Sequence, residues 1–433
     1  RSGQAPPARR MLGGMKQLAL LLFLFILSCN VSAADRELSF ARDMMEDAVI
    51  RNDVEGIALA RARLVRIAAE TGDRTVERDA RYLAAVSSMF ELFSGSLDLP
   101  AAAKLMTVAV RQADRVVEID PKFADGWMIS AMLRGSAQRA GIAVPKDPEG
   151  APNRFAHAIE LDAKSPGVAF FAGVIRSSNP LGAAPPEGVQ MFDDLVARLD
   201  ADRAATGRRF GLWDAQARAW QIFVRMAQDE PRADTMRTMA ARLMELRPDF
   251  AQGQDLVGYV TERCFVAAPA VTWKPFLTDA VGDGKSPKNP DVIAVDRAED
   301  GDRWWYRVAF HDPLPPSFGV NIVVNRSGDP ATGMKWWGNG STARFDRLVT
   351  AWITRSGDRY FGRAGVTDDP GSRGARLTKI SSDIQLAIAD DNRSVMIGVP
   401  KSALELTDAS TIVVAGGTHL VWNDDAASAA NSR

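Results

Sequence analysis

A multidomain chain, all-α in its first part and antiparallel β-sandwich in its second, is the fold class this sequence predicts, and three observations predict it. From Arg36 to Arg263 apolar residues recur at helical spacing, as in Val54, Ile57, Ala58, Ala60, Ala62, Leu64, Ile67 and Ala68. After Cys264 the period becomes alternating, as in Trp304-Trp-Tyr-Arg-Val-Ala-Phe310. Between those alternating runs stand turn formers: Asp300-Gly301, Ser356-Gly357-Asp358 and Asp390-Asp391-Asn392.

The chain opens on a candidate export segment. Met15-Lys16 precedes the apolar run Leu18 to Leu27, which has the length of a signal-peptide core and falls short of the roughly 20 residues a membrane span needs. Two processing readings stand side by side. Val31-Ser32-Ala33 before Ala34 fits small-residue cleavage, whereas Ile26-Leu27-Ser28-Cys29 resembles a bacterial lipoprotein box in which Cys29 is acylated, with Leu27 bulky for that role. Residues 1–33 are set aside as signal and upstream sequence, and the expected address is exported, periplasmic or envelope-associated. Cys29 and Cys264 are the only cysteines, so loss or lipidation of Cys29 leaves no intrachain disulfide and stability must come from packing. A net charge of −1 with both signs mixed argues against a nucleic-acid or anionic-membrane surface.

Helices are expected near residues 38–50, 53–71, 75–94, 101–118, 123–140, 152–161, 168–176, 187–203, 211–228, 232–246 and 249–262, within a helical domain of residues 36–262. A pattern returns inside it: Ala113-Asp-Arg-Val-Val-Glu-Ile-Asp-Pro121, then Ala156-His-Ala-Ile-Glu-Leu-Asp, then Ala241-Arg-Leu-Met-Glu-Leu-Arg-Pro248. A helix closes on Leu or Ile, and a proline opens the next segment. These residues resemble tetratricopeptide repeats, although those units run about 34 residues and the segments here carry insertions such as Ser178 to Gly188. The resemblance implies stacked helical hairpins with a concave groove for a protein partner. Trp127, Trp213 and Trp220 are expected mainly as packing between hairpins, with groove contact as the alternative, and His157 as a packing histidine.

Residues 265–425 are expected as the sandwich, with strands at 291–296, 304–310, 319–325, 347–354, 384–388, 394–399 and 411–415, and residues 426–433 as a disordered tail. Pro290-Asp291 opens a strand, Asn325 leads to Thr332-Gly333 and Trp336-Trp337-Gly338, and Phe345-Asp346 leads the next strand. Over about 150 residues this order resembles the family 9 carbohydrate-binding modules and related DOMON-type sandwiches. That resemblance implies a sugar face stacked on exposed aromatics and a calcium ion bracing loops.

The chemistry of the residues fits independently of the family. A tryptophan ring covers the C–H face of a sugar while amides and carboxylates bond its hydroxyls, which makes Trp336, Trp337, Trp305 and Asn339 the candidate ligand-binding residues. Trp304 and Trp305 are adjacent on one strand, so alternation sends one ring inward and the other outward. Asp283, Asp291, Asn325, Asp329 and Asp346 carry the oxygen types that calcium, the candidate cofactor, requires; turn and strand-end roles compete for the same residues. DOMON relatives sometimes hold haem through His and Met, but nothing in the spacing of His311, His419, Met334 and Met396 selects that reading.

Other motifs fail. Gly284-Lys285-Ser286 imitates a phosphate loop, yet Asp279 stands where its first glycine belongs and Pro287 where a helix should start. His157, His311 and His419 lack the helical pair of a zinc protease, and no Gly-x-Ser-x-Gly elbow occurs. The expectation is therefore a non-catalytic exported binding protein, with repeats for a protein partner and a sandwich for carbohydrate or another ligand. The alternative is an envelope adaptor with no soluble ligand.

Overall fold

The computed structural model describes residues 33–94, 97, 99–139, 141–177, 186–226, 232–260, 263–282, 290–336, 342–368, 379–418 and 421–430. The candidate export segment with Cys29, and Asp283, Trp337, Asn339 and His419, lie outside the described residues.

The first part is helical: α1 (Ala33–Arg51), α2 (Val54–Glu70), α3 (Arg74–Phe93), α4 (Leu99–Ile119), α5 (Ala124–Arg139), α6 (Gly150–Asp162), α7 (Pro166–Ser177), α8 (Pro186–Thr206), α9 (Leu212–Met226), α10 (Ala233–Leu246) and α11 (Ala251–Tyr259). Local chemistry sets the breaks. Asn52 adopts a left-handed φ of 53°, and the Asp53 carboxylate then accepts a hydrogen bond from Gly56 N to start α2. Asp73 caps α3 in the same way, accepting from Thr75 N and Val76 N. Trp127 fills its packing role: Arg154 lies over its ring, His157 meets the ring edge-on, and its indole N–H donates to Pro121 O at 2.9 Å.

The hairpins stack in sequence, and their curvature closes them into a ring. The odd-numbered helices α1, α3, α5, α7, α9 and α11 each touch the next, and α11 and α9 both return to α1, while the even-numbered helices pack outside against their chain neighbours. Small buried side chains on the inner helices, including Ala41, Ala80, Ala84, Ala215 and Ala219, let them converge this closely. Ion pairs lock the seam: Arg247 Nη2 to Asp47 Oδ1 at 2.6 Å, Arg51 Nε to Asp249 Oδ2 at 2.9 Å and Arg209 Nη2 to Asp43 Oδ1 at 2.8 Å. Leu212 N also donates to Glu46 Oε2 at 3.2 Å.

The second part is a sandwich. One sheet has the order β1-β2-β3-β11-β10 and the other β13-β12-β4-β7-β8-β9, with every pairing antiparallel. The first comprises β1 (Lys274–Thr278), β2 (Val292–Asp300), β3 (Arg303–Phe310), β10 (Gln385–Ile388) and β11 (Ser394–Pro400). The second comprises β4 (Ser317–Asn325), β7 (Arg347–Ser356), β8 (Arg359–Asp368), β9 (Lys379–Ser381), β12 (Thr411–Thr418) and β13 (Val421–Ala430). Val295, Tyr306 and Val308 from one sheet pack on Val320, Ile322 and Ile353 from the other. β13 pairs with β12 from Val421 to Ala430, so residues 426–430, expected as tail, complete the sheet edge.

Both outer faces are covered. Val271 and Trp273, in the segment leaving the helices, pack over Ala298, Trp305, Ala387 and Met396 on the first sheet. On the second sheet, the hairpin of β5 (Met334–Lys335) and β6 (Arg344–Phe345) brings Trp336 and Phe345 onto Val323, Leu348 and Ala415. The remainder of that face meets the helices, where Phe361 of β8 joins the helical core and Arg363 pairs with Asp255 at 2.6 Å.

Candidate functional site

The structure gives the sandwich residues roles different from those expected of them. Trp305 points to the outer face, as alternation requires, but it is 2% exposed because the Val271–Trp273 segment covers it. Gly398 on the neighbouring strand makes room, since a Cβ there would stand 2.7 Å from the indole. Trp336 is 1% exposed. Gly333, at φ +81°, turns the chain where a Cβ would come within 2.6 Å of Phe345 O, and the Thr-Gly element thereby lays Trp336 on the sheet. Neither ring is available to stack on a sugar.

The oxygen-bearing residues build turns. Asn325 Oδ1 accepts from Ser327 N and Gly328 N at 3.2 and 3.1 Å, and its Nδ2 donates to Asp329 O at 2.8 Å. Asp329 Oδ1 accepts from Ala331 N at 2.8 Å. Asp346 takes Arg326 N and Nε, each at 3.2 Å, and Asp291 Oδ2 takes Gly282 N at 2.8 Å. Asn325, Asp329 and Asp346 share one end of the sandwich, yet their oxygens face backbone N–H groups and a guanidinium. Among the described residues no three His, Cys, Asp or Glu side chains are grouped to hold a metal ion. Met396 packs beneath Trp305 on one sheet whereas Met334 sits on the β5–β6 hairpin over the other, so the two do not converge.

The helical ring carries the better site. Where the C-terminal halves of α3 and α7 meet α1, α5, α9 and α11, a cavity of about 520 Å³ opens. Its aromatic wall is Phe90, Phe93, Phe170, Phe171, Trp220 and Phe250, with Met89 and Met132 between them. Phe93 is 59% exposed, a large ring held at the surface. Among these, Trp220 takes the groove contact that stood as its alternative role while also stacking on Phe192 at 6.0 Å in the core.

Four carboxamides complete the wall: Asn52, Gln216, Gln252 and Gln254. Gln216 is only 5% exposed, and among the described residues its side chain makes no hydrogen bond. Its polar atoms are not among the buried unpaired ones, so the carboxamide opens on the cavity, where water or a ligand group can pair with it. Asp255 is the one ionisable side chain among the described lining residues, and Arg363 occupies it. Such a wall offers shape, ring faces and neutral donors and acceptors, which suits binding rather than proton transfer.

Buried carboxyls sit elsewhere in the ring, between inner helices. Burial raises the pKa of Glu46, against the opposing hydrogen bond from Leu212 N, and burial likewise raises Asp125, against the hydrogen bond that Ser165 Oγ donates to it. Each pins one inner helix to the start of another. The cavity itself was illegible in the sequence, because its lining comes from six helices that share no local motif. No protein-family model matches this chain, and no curated protein matches it.

Proposed function

We propose that this protein is a non-catalytic binding protein whose helical ring receives a peptide segment of a protein partner in the aromatic cavity. The observation that carries the reading is the aromatic wall with Gln216 set in it, a carboxamide that makes no protein hydrogen bond and keeps its polar atoms open to the cavity. Carboxamides both donate and accept, as peptide groups do, and four of them border the cavity. Its volume of about 520 Å³ lies within the roughly 300–1,000 Å³ of ligand pockets. Exposed Phe93 and the neighbouring rings would take an apolar anchor side chain, while the amides pair with the backbone on either side. We infer from the apolar run Leu18 to Leu27 that the chain acts at the cell envelope. Carbohydrate binding by the sandwich now rests on Trp337 and Asn339, which lie outside the described residues, since Trp305 and Trp336 are core.

Selection of a random-peptide display library on the full chain tests the reading. Enriched peptides should carry a large apolar residue, and their affinity should fall at least tenfold in both Phe93→Ala and Gln216→Leu. Failure to enrich, or binding indifferent to both substitutions, would overturn it.

A further inference from the structure

We propose that a groove between α6 and α8 docks an acidic amphipathic helix of a protein partner, on a surface separate from the aromatic cavity. Both outer helices pack against α7, and the strip of α7 between them opens as a groove of about 530 Å³. α7 and α8 run antiparallel there. A Cβ on Gly188 would lie 2.7 Å from Ser177 Oγ near one end, and Arg198 Nη1 donates to Lys164 O at 2.9 Å at the other. The floor is apolar, made by Ile159, Val168, Ala169, Ala172 and Met191, and among the described residues the groove shares no lining residue with the aromatic cavity.

Cations stand at both ends of this floor. Lys164 and Arg198 lie beside the start of α7 and Arg176 near its end, about two to three helical turns away at 1.5 Å per residue. Among the described residues the side chains of Lys164 and Arg176 have no hydrogen bond or ion pair, and Arg198 meets only the Lys164 carbonyl. The one acid of the described lining, Asp194, accepts from Gln190 Nε2 at 2.8 Å and pairs with none of the three. Glu160, one turn before Lys164, lies 3.7 Å from His157 instead. Three cations therefore face one acid along the groove.

The occupant has to match this order of charge, apolar strip and charge. An amphiphile with a single acidic head answers one end only, and a flat anionic membrane meets the rim without reaching the floor. A helix with Asp or Glu two to three turns apart, and apolar residues at i, i+3 and i+4 between them, answers both ends and the floor at once. The short side chains of Ala169 and Ala172 let its backbone come close. The rim charges are exposed, so they orient the helix and exclude basic ones more than they add affinity.

Selection of a display library of helical peptides on the full chain tests the groove. Enriched helices should carry acids on either side of an apolar stripe, and their affinity should fall about fivefold or more in Arg176→Glu and in Lys164→Glu while Phe93→Ala leaves it unchanged. Neither cation has a partner within the chain, so both reversals keep the fold, which circular dichroism checks. Exchanging the peptide's matching acid for Lys should restore binding to the Arg176→Glu chain. No enriched helix with this pattern, or affinities indifferent to both reversals, would overturn the proposal. So would binding to phosphatidylglycerol vesicles, or a dimer of the chain, that the same reversals abolish, since the groove would then have another occupant.

Discussion

Arg247 and Asp47, two hundred residues apart in sequence, form a 2.6 Å ion pair that closes the helical ring. The pair stands beside Arg51–Asp249 and Arg209–Asp43, so the first inner helix is tied to the segments before α9 and α11. An open stack of hairpins would present a groove; closure turns it into a walled cavity. Arg247→Ala should cost about 1.5 kcal/mol, the scale of a hydrogen bond to a charged group, and should speed amide exchange in α1 and α11 ahead of α6. Urea denaturation with hydrogen exchange checks both, and uniform exchange across the ring would argue against a closing role.

Trp336 behaves as a core residue in this fold, packed with Phe345 over Val323 and Leu348. Trp336→Ala should destabilise the sandwich by about 3 kcal/mol or more, as large aromatic truncations do in cores. Equilibrium unfolding measures this directly. An unchanged midpoint would return the ring to the surface and reopen its role in sugar binding.

Gln216→Leu should separate stability from binding. Replacing an amide that faces the cavity without a protein partner by an apolar side chain of similar volume is expected to change stability by less than about 1 kcal/mol. Peptide affinity should fall in the same variant. A loss of more than about 1 kcal/mol in thermal or urea unfolding would mean that the amide is already satisfied in the free protein.

Two aspartates should give opposite pH dependences. Arg154 donates to Asp147 at 2.7 Å and holds its carboxyl below the usual range, with Arg134 adding to the field, so the stability it contributes is present above its unfolded pKa of about 3.9 and is lost as pH falls through the folded value. Asp147→Asn should therefore destabilise at pH 7, and the difference should shrink as pH falls below about 4. Burial raises Asp125, so its contribution is complete below about pH 4 and is lost as pH rises through the folded pKa. Asp125→Asn should flatten that decline on the side above pH 4. Melting temperatures of both variants between pH 3 and 8 check the signs.

Local features of this fold were legible and remote ones were not. Helical periodicity located the helices because each buries a stripe of its own, whereas the caps Asp53 and Asp73 that fix their starts emerge with the structure. Strand alternation required one of Trp304 and Trp305 to face outward, but could not reveal that Val271 and Trp273 would cover the outward Trp305. Asn325 and Asp346 have the same oxygens whether they bind a cation or cap a turn, and only the positions of Ser327 N, Gly328 N and Arg326 distinguish the two. Ring closure depends on Glu46 meeting Leu212 and Asp47 meeting Arg247, contacts with no periodic signature. The cavity inherits that opacity, since it exists only where six helices converge.

The most direct measurement is a titration of a library-selected peptide against the wild-type chain and Ala251→Trp, a substitution that fills the cavity from the start of α11. Affinity at least tenfold weaker in the variant, with its circular dichroism and melting temperature unchanged, is the expected result. Equal affinity in both proteins would contradict the cavity as the binding site.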